Sequence, residues 1–270
     1  MATRHVLLTG NIRKRVRVRL PLTLIVGLST KATKVWSYYG SKSKVVDYYP
    51  PPQYDKIIEP FAGSARYALK YYDRDVLLVD KYTIIVRIWQ WLQTASEQDI
   101  MSLPDLKANE KINRADFSCM EQAWLMGFMV QMGVSSPRLT VSKFAEQNIP
   151  RQKSNISEQL FKIKHWIIES GSYEDIPNQA ATWFIDPPYQ YGGEYYVKNN
   201  KHLDYQKLGE WCKSRRGQVI VCENTKAAWL PFRPMKQLRG TVHNTTEAVW
   251  SNLETPYDTP QLSLIEKDIL

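Results

Sequence analysis

Along this chain the apolar residues gather into short unbroken runs, several of which stop at an acid. Val76-Leu77-Leu78-Val79 ends at Asp80, Trp183-Phe184-Ile185 ends at Asp186, and Val219-Ile220-Val221-Cys222 ends at Glu223. Runs of this length, without the 3.6-residue spacing of a surface helix, read as buried strands. They predict strands over residues 56–58, 76–79, 166–168, 182–185 and 218–222. Helical spacing predicts helices over 65–72 and 203–214, so that residues 56–80 form a βαβ unit. Between about 93 and 164 apolar strands are missing. Helical periodicity over 120–132 and scattered Lys107, Lys111, Arg114, Arg138, Lys143, Arg151 and Lys153 give that stretch the look of a helical insertion. The sheet pattern resumes after it.

Composition narrows the class. The 270 residues are 43% hydrophobic and 12% aromatic, enough to bury a core, which excludes a mainly disordered chain. The length fits one α/β domain with an insertion or two small domains. Three Cys (Cys119, Cys212, Cys222) are too few and too scattered for a disulfide framework or a four-Cys zinc site, which points to a reducing compartment. The four His include no HxH or HxxxH pair, so no metal site is expected. No apolar run reaches the roughly 20 residues of a membrane span. The nearest, 20–28, follows Arg13, Lys14, Arg15, Arg17 and Arg19 and loosely copies a signal peptide, but it lacks a small-residue cleavage site and reads as a basic N-terminal extension over 1–34. Lys and Arg number 36 against 27 Asp and Glu, a net charge of +9 that favours polyanionic partners, nucleic acid first.

The chemistry concentrates in Asp186-Pro187-Pro188-Tyr189. Two prolines fix φ and remove two N–H donors, so the strand stops and the chain leaves it rigidly extended. A carboxylate, proline carbonyls and an aromatic ring held there suit an exocyclic amine: Asp186 accepts one N–H, the carbonyl of Pro187 or Pro188 the other, and Tyr189 stacks on the base. With this tetrapeptide the chain resembles the Dam-like N6-adenine DNA methyltransferases, over about residues 36–253. Glu59-Pro60-Phe61-Ala62-Gly63-Ser64-Ala65 resembles their first cofactor motif, with Ala65 in place of a second Gly, and Asp80 stands where the family's ribose-binding acid stands. Tyr38-Tyr39-Gly40-Ser41-Lys42 resembles the aromatic-x-Gly-Gly-Lys motif, with Ser41 in place of Gly. Ser172 and Tyr173 fall where the family contacts the cofactor adenine, Glu223-Asn224 where it lines the target-base pocket, and Glu247 to Trp250 in its closing motif.

The resemblance implies a Rossmann-like α/β sheet of the S-adenosylmethionine-dependent methyltransferase type, built from 35–92 and 165–270, with a helical target-recognition insert at 93–164. It implies S-adenosylmethionine as cofactor, held by Tyr38, Tyr39, Gly40, Lys42, Glu59, Pro60, Phe61, Ala62, Gly63, Asp80, Ser172, Tyr173 and Asp186. It also implies double-stranded DNA as substrate, with Arg138 and Lys143 as candidate DNA contacts, and a cytoplasmic monomer of bacterial or phage origin, serving restriction–modification, phage self-protection or regulation. A silent DNA-binding module of the same fold, and an RNA or protein-amide methyltransferase, are the alternative readings.

Overall fold

The computed structural model describes residues 35–238 and 245–258. The proposed basic extension at 1–34 lies outside the described residues. The apolar runs become parallel strands, β1 (Lys56–Glu59), β2 (Asp75–Asp80), β3 (Ile167–Ser170), β4 (Ala181–Ile185) and β5 (Gly217–Asn224), but β3, expected to be buried, lies at the sheet edge and is exposed at three of its four positions. β6 (Arg233–Leu238) and β7 (Thr245–Ser251) complete one sheet of order β3-β2-β1-β4-β5-β7-β6, in which β7 runs antiparallel to both of its neighbours. This is the Rossmann-like α/β sheet that the resemblance implies.

Alternation along each strand sends neighbours to opposite faces. Ile57, Leu78, Phe184, Ile220 and Cys222 enter one core, while Ile58, Leu77, Trp183, Val219 and Val221 enter the other. Each face is covered, which is why the strands read as unbroken apolar runs. α8 (Tyr205–Lys213) packs on the second face through Tyr205, Leu208 and Cys212. The first face carries α1 (Arg66–Lys70), α2 (Thr83–Thr94) and the helices of the region between β2 and β3.

That region holds α3 (Glu97–Met101), α4 (Met120–Met129), α5 (Lys143–Glu146), α6 (Ile149–Ser157) and α7 (Leu160–Ile163). Its apolar side chains, among them Leu125, Phe128, Ile156 and Ile163, share one continuous core with Ile88 and Trp89 of α2. Ser96 begins α3 with a capping box to Asp99. Lys153 is buried and satisfied by the Leu103 carbonyl at 2.7 Å and by Asp105 at 2.8 Å. The third strand starts one residue later than its pattern predicts and runs to Ser170. Trp166 is drawn off it because its indole N–H bonds the Tyr72 carbonyl and its ring packs on Trp89.

Candidate active site

In an open α/β sheet the ligand crevice lies beyond the carboxyl ends of the strands, where the strand order reverses. Here that point is between β1 and β4. A cavity of about 520 Å³ opens there, within the 300–1,000 Å³ usual for small-ligand sites. Every residue assigned above to the cofactor, from Tyr38 to Asp186, lines it. Of the tetrapeptide, Asp186 and Pro188 reach the cavity, while Pro187 and Tyr189 are not part of its wall.

The turn after β1 is fixed at several atoms. Ala62 N–H donates to the Val79 carbonyl at 3.0 Å, Gly63 N–H to Asp80 Oδ2 at 2.9 Å, and the Trp89 indole N–H to the Gly63 carbonyl at 2.9 Å. Gly63 sits at φ +45, and a side chain there would press on the Tyr38 ring at 3.3 Å. Ala65 also adopts the left-handed conformation, φ 47 and ψ 45, where glycine would be unstrained. Since Ala65 cannot cap α1 with a side chain, Glu59 does so from the strand below, its Oε1 accepting from Ala68 N–H at 2.6 Å. Ser64 and Ser41, each beside a glycine, join the two turns through a 3.1 Å hydroxyl contact.

Asp80 accepts a second backbone bond, from Tyr82 N–H at 2.7 Å, yet burial still lifts its carboxyl to about 6. At the same end of the cavity the Phe61 and Tyr173 rings stack, centroids 5.6 Å apart. A carboxylate beside a close backbone turn and an aromatic pair matches the needs of a nucleoside: ribose hydroxyls to Asp80, the base against the rings. The residues present therefore fit the nucleoside part of S-adenosylmethionine.

Lys42 lines the cavity and also carries its charge to the strand-end carboxylate of Asp186. Its Nζ ion-pairs with Asp186 Oδ1 at 2.7 Å, stands 3.9 Å from Glu247 Oε1, and lies 4.6 Å from the centre of the Tyr189 ring. Glu247, buried on β7, accepts the hydroxyls of both Tyr49 and Tyr189. The Tyr189 ring is thereby engaged by Lys42 and its hydroxyl by Glu247, in place of the free stacking platform expected. The aromatic residue after the tetrapeptide that does line the cavity is Tyr196. Burial alone would lower the Lys42 pKa, but Asp186 and Glu247 hold it above the ordinary lysine range. Burial raises Asp186 to about 6 against the opposing pull of Lys42.

The segment after the tetrapeptide covers the mouth. Tyr196 Oη donates to the Tyr39 carbonyl at 3.2 Å, and a Cβ on Gly40, at φ +71, would fall 1.8 Å from that oxygen. Gly40 is thus required for Tyr196 to lie down. Glu223 and Asn224, expected at the target-base pocket, stand outside the cavity wall and anchor this segment instead. Glu223 accepts from Gln190 N–H at 2.5 Å, and the Asn224 side chain donates to the Tyr191 carbonyl at 2.7 Å. Trp250 packs against the α8-side core. Arg138 and Lys143 are exposed and do not line the cavity. Tyr196 has no place in the sequence reading and Glu247 only one in the closing motif, since nothing in the spacing of Tyr196 from Gly40, or of Glu247 from Lys42, marks them as partners.

Among the described residues no group of three or more His, Cys, Asp and Glu is arranged to hold a metal ion, and no helix is long and apolar enough to cross a membrane. No family model and no curated relative matches the chain. Among solved structures it is similar to a candidate methyltransferase, yhhF from Escherichia coli, with 8% identity over 79% of this chain and 81% of that one, at a TM-score of 0.31. It is also similar to the rRNA methyltransferase aviRa from Streptomyces viridochromogenes, with 11% identity over 72% and 76%, at a TM-score of 0.33. Neither likeness is close enough to say what this chain does.

Proposed function

We propose that this protein transfers a methyl group from S-adenosylmethionine to N6 of adenine in double-stranded DNA. The observation that carries the reading is the position of Asp186. It closes β4 on the wall of the cavity that also holds the Gly63 turn and Asp80, and it is kept in place by a buried lysine. When bound, S-adenosylmethionine supplies an electrophilic methyl: the adenine nitrogen forms the N–C bond as the S–C bond breaks, leaving S-adenosylhomocysteine.

The amine lone pair is delocalised into the ring, so the protein must favour a more tetrahedral nitrogen. An ionised Asp186 does this by accepting one N–H and stabilising the positive charge that develops on nitrogen. The Pro188 carbonyl, oriented by the Tyr205 hydroxyl at 2.6 Å, has a second lone pair for the other N–H. Lys42 keeps the carboxylate ionised and aimed, and once the bond has formed the surplus proton passes from the nitrogen to Asp186 and from there to water. Holding nitrogen and methyl near contact contributes up to about 7–11 kcal/mol in well-oriented systems. A paired adenine cannot reach a recess at the strand ends, so the nucleotide must leave the stack at a cost of a few kcal/mol. The basic surplus of the chain offsets part of this through phosphate contacts.

The test is incubation of the purified protein with labelled S-adenosylmethionine and mixed duplex DNA, followed by digestion and analysis for N6-methyladenine. Product is expected, and its absence on every duplex with cofactor bound would sink the assignment. Asp186→Ala is expected to abolish transfer and, because it strips the buried Lys42 of its 2.7 Å partner, to lower the melting temperature as well, so transfer is compared at a temperature where the variant is folded. Label appearing in RNA or in a protein amide would point to one of the alternative substrates.

A further inference from the structure

Six of the eleven large apolar side chains left exposed among the described residues fall in two short segments: Met132, Leu139 and Phe144 in one, Tyr191, Tyr195 and Val197 in the other. The segments touch, the Ser135 hydroxyl donating to the Tyr195 carbonyl at 2.6 Å. Val197 and Lys198 line the cavity, so the patch begins at its rim. The same segments carry exposed Arg138, Lys143, Lys198 and Lys201 against a single acid, Glu194.

Tyr195 is the most exposed of the six, at 67%, yet it is fixed at two points. Ser135 holds its backbone, and its ring meets Tyr39 edge-on at 5.9 Å. Immobilising an aromatic ring costs rotamer entropy, and water on its face returns little of that cost. A flat partner covering the ring would. A partner that is both flat-faced and polyanionic fits the ring and the cations together, whereas an acidic protein surface would satisfy only the cations.

We propose that Tyr195 stacks on a base of the duplex beside the nucleotide drawn into the cavity, with Arg138, Lys198 and Lys201 on the flanking phosphates. This rests on the DNA methyl-transfer reading and assigns the surface that meets the duplex. It places the duplex across the junction of the helical region and the segment after the tetrapeptide, and it gives the stacking role to Tyr195 outside the cavity.

The experiment measures duplex affinity, transfer rate, cofactor affinity and melting temperature for wild type, Tyr195→Ala, Tyr195→Phe and Lys198→Ser/Lys201→Ser. Tyr195→Ala is expected to weaken duplex binding about 5- to 150-fold, the loss of one base–aromatic stack. Tyr195→Phe should stay within about twofold, and neither variant should alter cofactor affinity. The lysine pair should lower the salt slope of binding by roughly two. This arm tests the surface independently if Tyr195→Ala melts early. Duplex binding by both Tyr195→Ala and the lysine pair indistinguishable from wild type would overturn the surface while leaving the enzymatic reading untouched. Duplex binding that depends on Tyr195, without transfer to any duplex, would support the surface and overturn the enzymatic reading.

Discussion

Replacing Lys42 by Met isolates the charge balance beneath the cavity. The lysine side chain is 7% exposed and stands between Asp186 at 2.7 Å and Glu247 at 3.9 Å. Without it two buried carboxylates face each other with no cation between them. Removing one partner of a buried ion pair costs about 3–5 kcal/mol, which for a chain of this size lowers Tm by roughly 6–20 °C. The deficit depends on pH in a definite direction. Lys42 opposes the rise that burial imposes on Asp186, so its loss moves that carboxyl upward from about 6. The folded variant then holds a proton that the unfolded chain has released above about 4. Its stability falls as pH rises through that window, and the gap to wild type is larger at pH 8 than at pH 5.

Transfer should respond in parallel. If ionised Asp186 accepts the amine hydrogen, wild-type kcat/KM fades with an acid limb near pH 6, and Lys42→Met shifts this limb to higher pH. The assays are thermal melts at both pH values and a pH profile of kcat/KM, which reports the ionisations of the free protein. An acid limb that stays in place, or an equal loss of Tm at both pH values, would refute the reasoning. So would additive effects of Lys42→Met and Asp186→Asn, since residues in contact must show coupling.

Other consequences are equally direct. Ala65→Gly relieves about 1–2 kcal/mol of left-handed strain and gives back part of it through a freer unfolded chain, so melts should show a net gain of up to about 1 kcal/mol, and destabilisation would contradict the strain at φ 47. Gly40→Ala must expel the Tyr196 hydroxyl, so it should impair transfer as much as Tyr196→Ala does. The double variant should be little worse than either single one, and full additivity in kcat/KM would count against that contact. Burial raises Glu59 to about 8, Glu223 to about 7 and Asp80 to about 6, and each then holds its proton after the unfolded chain has lost it. These groups make urea midpoints fall between pH 5 and pH 9, and a midpoint rising over that range would show that they are ionised at less cost than their burial implies.

Strand identity was legible because a strand covered on both faces is apolar through its centre, and β1, β2, β4 and β5 each carry such a central run, with most of their polar residues at the strand ends. β6 and β7 were not read as strands. They close the sheet beyond β5, with exposed and half-buried positions mixed among the buried ones and a proline in β6, so no unbroken run announces them. The tetrapeptide and the glycine turn were legible for a local reason, since proline and glycine fix backbone geometry by themselves. Partnership between distant side chains has no such local signature. Lys42 reads as one lysine in a turn until the fold sets it against Asp186, 144 positions later in the chain, and against Glu247 on the reversed strand. The same holds for the ring of Tyr196 over Gly40, and for Tyr189, whose hydroxyl the fold commits to a carboxylate. Sequence alone determined which residues could do chemistry at the strand ends. Which of them face the cavity, and which charges they share, depended on long-range packing that only the folded chain supplies.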